Sequence, residues 1–190
     1  AMLRPIPNMT LMMPRNAYEA YQLLYTAYQE EGPFAIRYPR GDVLNLTPHY
    51  EQWNPIPIGI WEELKTGKDA YLISIGPILD EFVKLAEDLQ AEGIELGIIN
   101  GRFIKPLDTQ MLDKLAALEI PIFVYEEATL IAGLGSAIIE YYNETDQHVL
   151  VKRFGVPDLY VQHGTVGQLL EELHLTVEDV KAEIKQILKK

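Results

Sequence analysis

The stretch Ala70-Tyr71-Leu72-Ile73-Ser74-Ile75-Gly76 decides the fold class, because six mostly apolar residues lead directly into a glycine. A short apolar run that ends at a turn signal is typical of a strand buried on both faces. Pro77 suits the first turn of a helix, and apolar residues at helical spacing then continue up to Gly93. The stretch therefore predicts a buried strand followed by a helix, the repeating unit of α/β proteins.

The same alternation continues towards the C-terminus. Apolar runs predict strands at 94–100, 121–125 and 149–154, and helical spacing predicts helices at 108–118, 130–142 and 177–188. Thr165 and Gln168 have the spacing of a capping box and predict a further short helix. Alternating strands and helices with short connections predict a mostly parallel sheet that is covered on both faces.

The first 41 residues form a separate strand–helix–strand pattern. An apolar run at 9–13 predicts a strand, Tyr and Leu residues at helical spacing predict a helix over 16–29, and 34–38 predicts a second strand. Residues 42–57 have no period and contain three prolines, which is typical of a linker. We therefore expect three parts: a unit at 1–41, a linker at 42–57 and a domain at 58–190.

The charge distribution also separates these parts. Residues 1–41 contain four arginines and three glutamates, whereas the rest of the chain contains 12 basic and 25 acidic residues. A unit of about 40 residues cannot bury a core of its own. From the residues alone, two explanations stay open: the unit is the end of a larger domain that begins upstream, or it adds its strands to the sheet of the second domain.

Composition excludes several classes of protein. With 48% apolar residues among 190, the chain is not disordered, and the absence of cysteine excludes a disulfide scaffold and Cys-based metal sites. The net charge of −12 argues against binding to nucleic acid or to an anionic membrane surface. No apolar run reaches the ~18 residues of a membrane span. We expect a cytoplasmic protein.

Three groups of residues could carry chemistry, but simpler interpretations are favoured. Gly133-Leu134-Gly135 lacks the third glycine of the dinucleotide fingerprint, so tight packing of a helix on the sheet is the favoured interpretation. The Glu126-Glu127 pair follows a strand, where open sheets bind ligands, but adjacent residues point to opposite faces. A polar or interdomain contact is therefore favoured over a catalytic acid. The histidines have no metal-ligand spacing; they are His49, His148, His163 and His174.

Tyr38-Pro39-Arg40-Gly41 directly follows a predicted strand, so Arg40 is expected near the carboxyl edge of a sheet. A guanidinium group at such an edge can form paired, charge-assisted hydrogen bonds to a phosphate. An interdomain salt bridge is the alternative, and the residues alone favour it.

Several segments, taken in order, resemble a known family. They are 32–41 with its Tyr-Pro-Arg-Gly ending, 56–59, 102–108, 126–127, 133–137, and Gly155-Val156-Pro157-Asp158 followed by His163-Gly164. This ordered set resembles the C-terminal part of the 1-deoxy-D-xylulose-5-phosphate synthases, which are transketolase-like thiamine diphosphate enzymes. Transketolases and the E1 β subunits of 2-oxo acid dehydrogenases share the fold. They are poorer matches to the Tyr-Pro-Arg-Gly segment and to the ending with Pro157-Asp158 and His163-Gly164.

The resemblance implies a transketolase C-terminal domain at 58–190, a three-layer α/β sandwich, preceded by the C-terminal remnant of a pyrimidine-binding domain at 1–41. It implies a homodimeric synthase that condenses pyruvate with D-glyceraldehyde 3-phosphate and releases CO₂, using thiamine diphosphate and Mg²⁺. It places Arg40 on the phosphate of the aldehyde. The catalytic, cofactor and metal residues of the family would all lie upstream, so we expect none of them in this chain.

Two hypotheses follow. In the first, the chain is an inactive C-terminal fragment of such an enzyme, whose partners are the upstream domains of the same polypeptide. In the second, it is a stand-alone, non-catalytic module for dimerisation or regulation.

Overall fold

The computed structural model describes residues 1–39 and 54–189, in which fourteen helices and strands follow one another. Arg40, Gly41 and His49 lie outside the described residues. The elements run in the order β1 (Thr10–Met12), α1 (Ala17–Gln29), β2 (Phe34–Ile36), β3 (Glu62–Lys65), β4 (Ala70–Ser74), α2 (Leu79–Ala91), β5 (Leu96–Asn100), β6 (Phe103–Lys105), α3 (Thr109–Ala116), β7 (Ile122–Thr129), α4 (Leu134–Glu144), β8 (Val151–Val156), α5 (Val166–Glu172) and α6 (Val177–Leu188).

The larger sheet has five strands in the order β3-β5-β4-β7-β8. Strands β4, β5, β7 and β8 pair in parallel, and β3 pairs antiparallel with β5 at one edge. Every residue of β4 and β5 is buried, as expected for strands covered on both faces. The predicted mostly parallel sheet is confirmed.

Two apolar clusters, one on each face, make this part a three-layer sandwich. Leu72 and Phe123 pack with residues of α2 and α6 on one face. On the other face, Ile73 and Val124 pack with residues of α3 and α4. The alternation of neighbouring residues between the two clusters is the period-2 pattern of a strand. The predicted α/β sandwich fold is confirmed.

The strand–helix–strand unit forms a second sheet of three strands in the order β2-β1-β6. Strand β1 pairs in parallel with β2 and antiparallel with β6, which comes from the later part of the chain. Met12, Met13 and Leu23 belong to the same apolar cluster as Ile73. The strands of the unit therefore do not join the five-stranded sheet; instead, the second domain contributes a strand to them.

Two strands and one helix start were not predicted correctly. Strand β3 has the sequence Glu-Glu-Leu-Lys, which has no apolar alternation because it is an edge strand with charged side chains. Strand β6 has only three residues. Helix α4 begins at Leu134 and not near 130, because β7 continues to Thr129 before the chain turns. Among the helices in the described part of the chain, none is long and apolar enough to span a membrane.

Candidate functional site

The carboxyl ends of β4 and β7 form the topological switch point of the five-stranded sheet. The chain leaves β4 towards β5 on one side, whereas β7 lies on the other side of β4. In open α/β sheets, ligands bind in the crevice at this point. Gly76 follows β4 here, and Glu126 and Glu127 lie just beyond Tyr125, which is paired with Ser74. This crevice is therefore the first place to look for a site.

The strand–helix–strand unit occupies this crevice. Gly76 has a φ of +80°, and a Cβ added to it would lie 2.3 Å from Cε of Met13, which is almost fully buried. The guanidinium of Arg37 donates to Sδ of Met13 at 3.4 Å and to the carbonyl oxygen of Glu127 at 3.3 Å. The switch point of this domain thus serves as the docking point of the N-terminal unit.

A buried ion pair forms a second junction between the two parts. The carboxylate of Glu19, on α1, accepts hydrogen bonds from Arg15 N at 2.7 Å, Asn100 Nδ2 at 2.9 Å and Arg102 Nη1 at 3.2 Å. The side chains of Glu19 and Arg102 are 5% and 14% exposed. Arg102 also donates from Nε to the carbonyl oxygen of Ile60. A charge pair this well covered has few competing water contacts, so it fixes the first turn of α1 against the β5–β6 turn.

Glu126 is buried, and each of its two carboxylate oxygens caps the start of a helix. Its carboxylate accepts from Leu134 N at 2.8 Å and Gly135 N at 3.1 Å, at the start of α4. Burial raises the pKa of Glu126, and the two backbone donors partly offset this. A Cβ on Gly133 would lie 2.1 Å from Oε2 of Glu126, and one on Gly135 would lie 2.7 Å from Cδ of Arg153. The packing interpretation of the two glycines is confirmed.

The other candidate residues are not brought together. Glu127 contributes its carbonyl oxygen to the contact with Arg37, which is a contact between the two parts. His148 precedes β8, His163 lies in the loop before α5, and His174 follows α5. Within residues 1–39 and 54–189, no group of three or more metal-ligating side chains lies close enough to hold a metal ion.

The segment that leads to Arg40 begins at the carboxyl end of β2. Arg37 N donates to the carbonyl oxygen of Met12 and extends the pairing of β2 with β1 by one bond. Tyr38 is 74% exposed, and Pro39 is exposed as well. Arg40 itself lies outside the described residues, so its role as a phosphate ligand stays a prediction.

Sequence reasoning missed the ion pair between Glu19 and Arg102, although one signal for it was present. Asn16 and Glu19 have the spacing of a capping box, and Asn16 Oδ1 accepts from Glu19 N at 2.9 Å. This spacing predicts the position of Glu19 in the first turn of α1. Its pairing with Arg102, 83 residues away, depends on the tertiary structure alone.

Comparison with known proteins gives consistent results over both parts of the chain. The family described as transketolase, C-terminal domain, matches residues 59–180, and the transketolase pyrimidine binding domain family matches residues 1–44. A 1-deoxy-D-xylulose-5-phosphate synthase from Lysinibacillus sphaericus is 40% identical over 190 residues, which are 99% of this chain and 30% of that protein. The synthase from Bacillus mycoides is 43% identical over 182 residues, 95% of this chain and 29% of that protein.

Solved structures agree with this likeness. A split-gene transketolase, described as an inactive β4 tetramer, superimposes with a TM-score of 0.87 at 30% identity and covers 99% of this chain and 60% of its own. A transketolase mutant from Pichia stipitis superimposes with a TM-score of 0.71 at 15% identity, which shows a shared fold. The chain spans about 30% of the length of the curated relatives described above.

Proposed function

Because this chain belongs to the transketolase C-terminal domain family, we propose that it is the C-terminal part of a 1-deoxy-D-xylulose-5-phosphate synthase. The observation that carries the proposal is the identity of 40–43% to two such synthases over 95–99% of the chain. The sequence segments that resemble this family extend from Gly32 to Gly164, so the likeness is not confined to one motif.

The proposed reaction joins pyruvate to D-glyceraldehyde 3-phosphate with loss of CO₂. Thiamine diphosphate with Mg²⁺ would supply the carbanion chemistry in the complete enzyme. The described residues contain no group of side chains suited to a metal ion, and their buried carboxylates Glu19, Asp108 and Glu126 are occupied by protein donors. These side chains do not fit the Mg²⁺ ion, and we assign no metal-binding or catalytic role to them.

The proposed domain division is a remnant of the pyrimidine-binding domain at 1–41, a linker at 42–57 and the transketolase C-terminal domain at 58–190. The family matches at 1–44 and 59–180 support these boundaries. The proposed partners are upstream domains of the same polypeptide and, in the complete enzyme, a second copy. A cytoplasmic location stays a prediction.

Arg40 is the proposed ligand of the substrate phosphate. It follows a strand whose carboxyl end lies beside the switch point of the larger sheet, an edge at which α/β proteins bind anionic ligands. Arginine suits this task because its planar guanidinium donates two parallel hydrogen bonds to phosphate oxygens. Its charge fits a phosphorylated aldehyde and contributes nothing to binding the unphosphorylated one.

Replacing Arg40 in the complete enzyme tests this role. Loss of a charge-assisted contact of about 2–3 kcal/mol corresponds to a decrease in kcat/KM of roughly 30- to 150-fold for D-glyceraldehyde 3-phosphate in Arg40→Ala. The decrease for D-glyceraldehyde should be less than about threefold. Arg40→Lys is the matched variant and should retain part of the difference, because it keeps the charge but not the paired geometry. Equal losses with both aldehydes would favour the interdomain salt bridge.

An assembly role for the isolated chain is the second candidate. The split-gene transketolase that shares its fold is described as an inactive β4 tetramer. We expect the isolated 190-residue chain to lack synthase activity as well. Reading the gene upstream of Met2 separates the two candidates: an in-frame coding region roughly twice the length of this chain supports the synthase, since the chain spans about 30% of its relatives. An immediate stop and start would support a stand-alone module.

A further inference from the structure

The outer side of α1 has a row of apolar side chains at its surface. Tyr21, Leu24 and Tyr28 are 37%, 60% and 84% exposed, and Ala17 is half-buried beside them. These positions follow one another at spacings of four, three and four residues, the heptad spacing at which helices pack against each other. At 3.6 residues per turn, they lie opposite the buried residues of the helix. Helix α1 is thus apolar on two sides, a pattern typical of a helix that is covered on both.

Charge distinguishes this outer face from the other helices. The chain has a net charge of −12, so two copies repel each other over most of their surfaces. Each of the five helices within residues 54–189 has at least one exposed acidic residue. The only charged residue of α1 is Glu19, and its carboxylate is buried in the ion pair with Arg102. The outer face of α1 can therefore approach a second copy of the chain without bringing like charges together.

The outer face is complementary to itself when two copies of α1 run antiparallel. About a two-fold axis midway between Tyr21 and Leu24, each of these residues lies opposite the other, and Tyr28 lies opposite Ala17. Large side chains opposite small ones allow two helices to interdigitate. The glutamates at 30–31 follow the helix, and this arrangement places them near the N-terminal end of the second copy of α1, where the helix dipole favours negative charge. A parallel arrangement would place them side by side.

We propose that the outer face of α1 is the interface of a two-fold symmetric dimer, in which α1 packs antiparallel on α1 of a second copy of this chain. Tyrosine suits such an interface, because its ring buries a large apolar area while its hydroxyl group can stay at the polar rim. A helix of 13 residues is about 20 Å long. The interface is therefore small, and we expect a dissociation constant on the order of 10–100 µM.

Sedimentation equilibrium of the 190-residue chain measures this association. As the concentration rises from about 10 to about 500 µM, the mass should rise from that of one chain, 21.6 kDa, towards twice that value. Leu24→Glu places an unpaired charge at the centre of the interface and should raise the dissociation constant at least about tenfold. Leu150→Glu is the matched control, because Leu150 is 59% exposed and lies outside α1. It should leave the dissociation constant within about twofold.

Disulfide cross-linking tests the antiparallel arrangement. The chain has no cysteine, so the double variant with Ala17→Cys and Tyr28→Cys contains only the two introduced thiols. Within one helix these positions are about 16 Å apart, which is too far for a disulfide. Across the antiparallel pair they lie opposite each other. Oxidation should therefore convert most of the double variant into covalent dimers on a denaturing gel, whereas Tyr28→Cys alone should stay monomeric.

The same measurements can overturn the proposal. A mass of one chain at every concentration would exclude the dimer, and equal weakening by Leu24→Glu and Leu150→Glu would exclude α1 as its interface. Cross-linking of Tyr28→Cys alone would show a parallel pair. Should Leu24→Glu fail to fold, Tyr28→Glu takes its place at a position that is 84% exposed, and an unchanged dissociation constant would contradict the interface. The dimer does not depend on the proposed reaction and is measured without substrate, so each of these failures leaves the synthase proposal standing.

Discussion

Both sheets of this molecule contain parallel strand pairs, but different contacts stabilise each sheet. In the five-stranded sheet, β4 and β5 are wholly buried, and apolar clusters cover both faces. In the three-stranded sheet, every strand has three residues, β2 is half-buried, and β6 comes from the second domain. Without β6, the N-terminal unit has only two strands of three residues each, and an isolated two-stranded sheet is at best marginally stable. The small sheet is therefore ordered by its contacts with the larger part.

This comparison predicts an asymmetry. Damage at the junction should release the N-terminal unit and leave the five-stranded sheet intact, whereas damage inside the five-stranded sheet should destabilise both. Amide hydrogen exchange distinguishes these outcomes, because it reports the opening of each region separately.

The largest effect is expected at the buried ion pair. Glu19→Ala removes the carboxylate that accepts from the N–H of Arg15, from Asn100 and from Arg102. Arg102 keeps its bond to the carbonyl oxygen of Ile60, and Asn100 keeps a longer bond to Glu62, but the guanidinium of Arg102 loses its hydrogen-bonded carboxylate partner. Removing one partner of a buried pair costs about 3 kcal/mol, because the other charge stays buried. In the 190-residue chain, this loss should lower the free energy at which the N-terminal unit opens. Exchange should accelerate by roughly a hundredfold or more in β1 and β2, since about 1.4 kcal/mol corresponds to a factor of ten, but should not change in β4.

A matched control for this variant lies on α6. Glu183→Ala also removes a helical glutamate from an ion pair, with Lys152, but both side chains are partly exposed, at 32% and 42%. Such surface pairs contribute less than about 1 kcal/mol. If Glu19→Ala accelerates exchange equally in both sheets, the molecule unfolds as a single cooperative unit and the comparison of the two regions is wrong.

A second effect is expected inside the five-stranded domain. Gly133→Ala would place a Cβ 2.1 Å from Oε2 of Glu126, so the buried carboxylate must move away from its two backbone donors. We expect a loss of about 2 kcal/mol in the free energy of unfolding, with faster exchange in both sheets.

The same glycine-to-alanine substitution at Gly167 should have the opposite effect on stability. A Cβ at Gly167, in α5, would meet nothing within 4 Å. Gly167→Ala should therefore increase stability by about 0.5–1 kcal/mol, because alanine favours a helix. Similar effects of the two substitutions in thermal unfolding would show that Glu126 does not need the space beside Gly133.

Sequence patterns predicted the parts of the fold that local physics determines. The buried strand at 70–75, the helix after it and the capping box at Thr165 are read from neighbouring residues, and each is present. Strand β6 could not be predicted, since its three residues are a strand only because β1 lies beside them. The docking of Met13 against Gly76 was also unpredictable, because neither residue carries a local signal of the other.

The candidate site likewise has one residue that the sequence predicts and one contact that only the structure shows. Arg40 was selected by its place after a strand, and the resemblance gave it a ligand. The contact between Arg37 and Glu127 joins residues 90 positions apart, and no spacing in the sequence indicates it. Contacts across the junction are thus the part of the site that requires the structure.

The smallest effect is expected at the exposed C-cap of α2. Glu92 pairs with Lys181 and Lys185 of α6, at 2.6 and 2.5 Å, and hydrogen bonds from Lys181 and then Lys185 lower its pKa to about 2. The pKa is lowered in the folded state, so the native chain binds fewer protons than the unfolded chain between about pH 2 and the ordinary value of 4.5. The contribution of Glu92 to stability is therefore present above pH 4.5 and is lost as the pH falls towards 2.

The melting temperature of Glu92→Gln should lie slightly below that of the wild type at pH 7 and match it near pH 2. Added salt should reduce the difference, because the pair is exposed. Glu92 joins α2 to α6, the two helices that cover one face of the five-stranded sheet. This pair is separate from the junction residues, so exchange in β1 and β2 should not respond to the substitution at pH 7. A difference in melting temperature that stays constant from pH 7 to pH 2 would show that the charge of Glu92 contributes nothing, and a response confined to β1 and β2 would contradict the comparison of the two sheets.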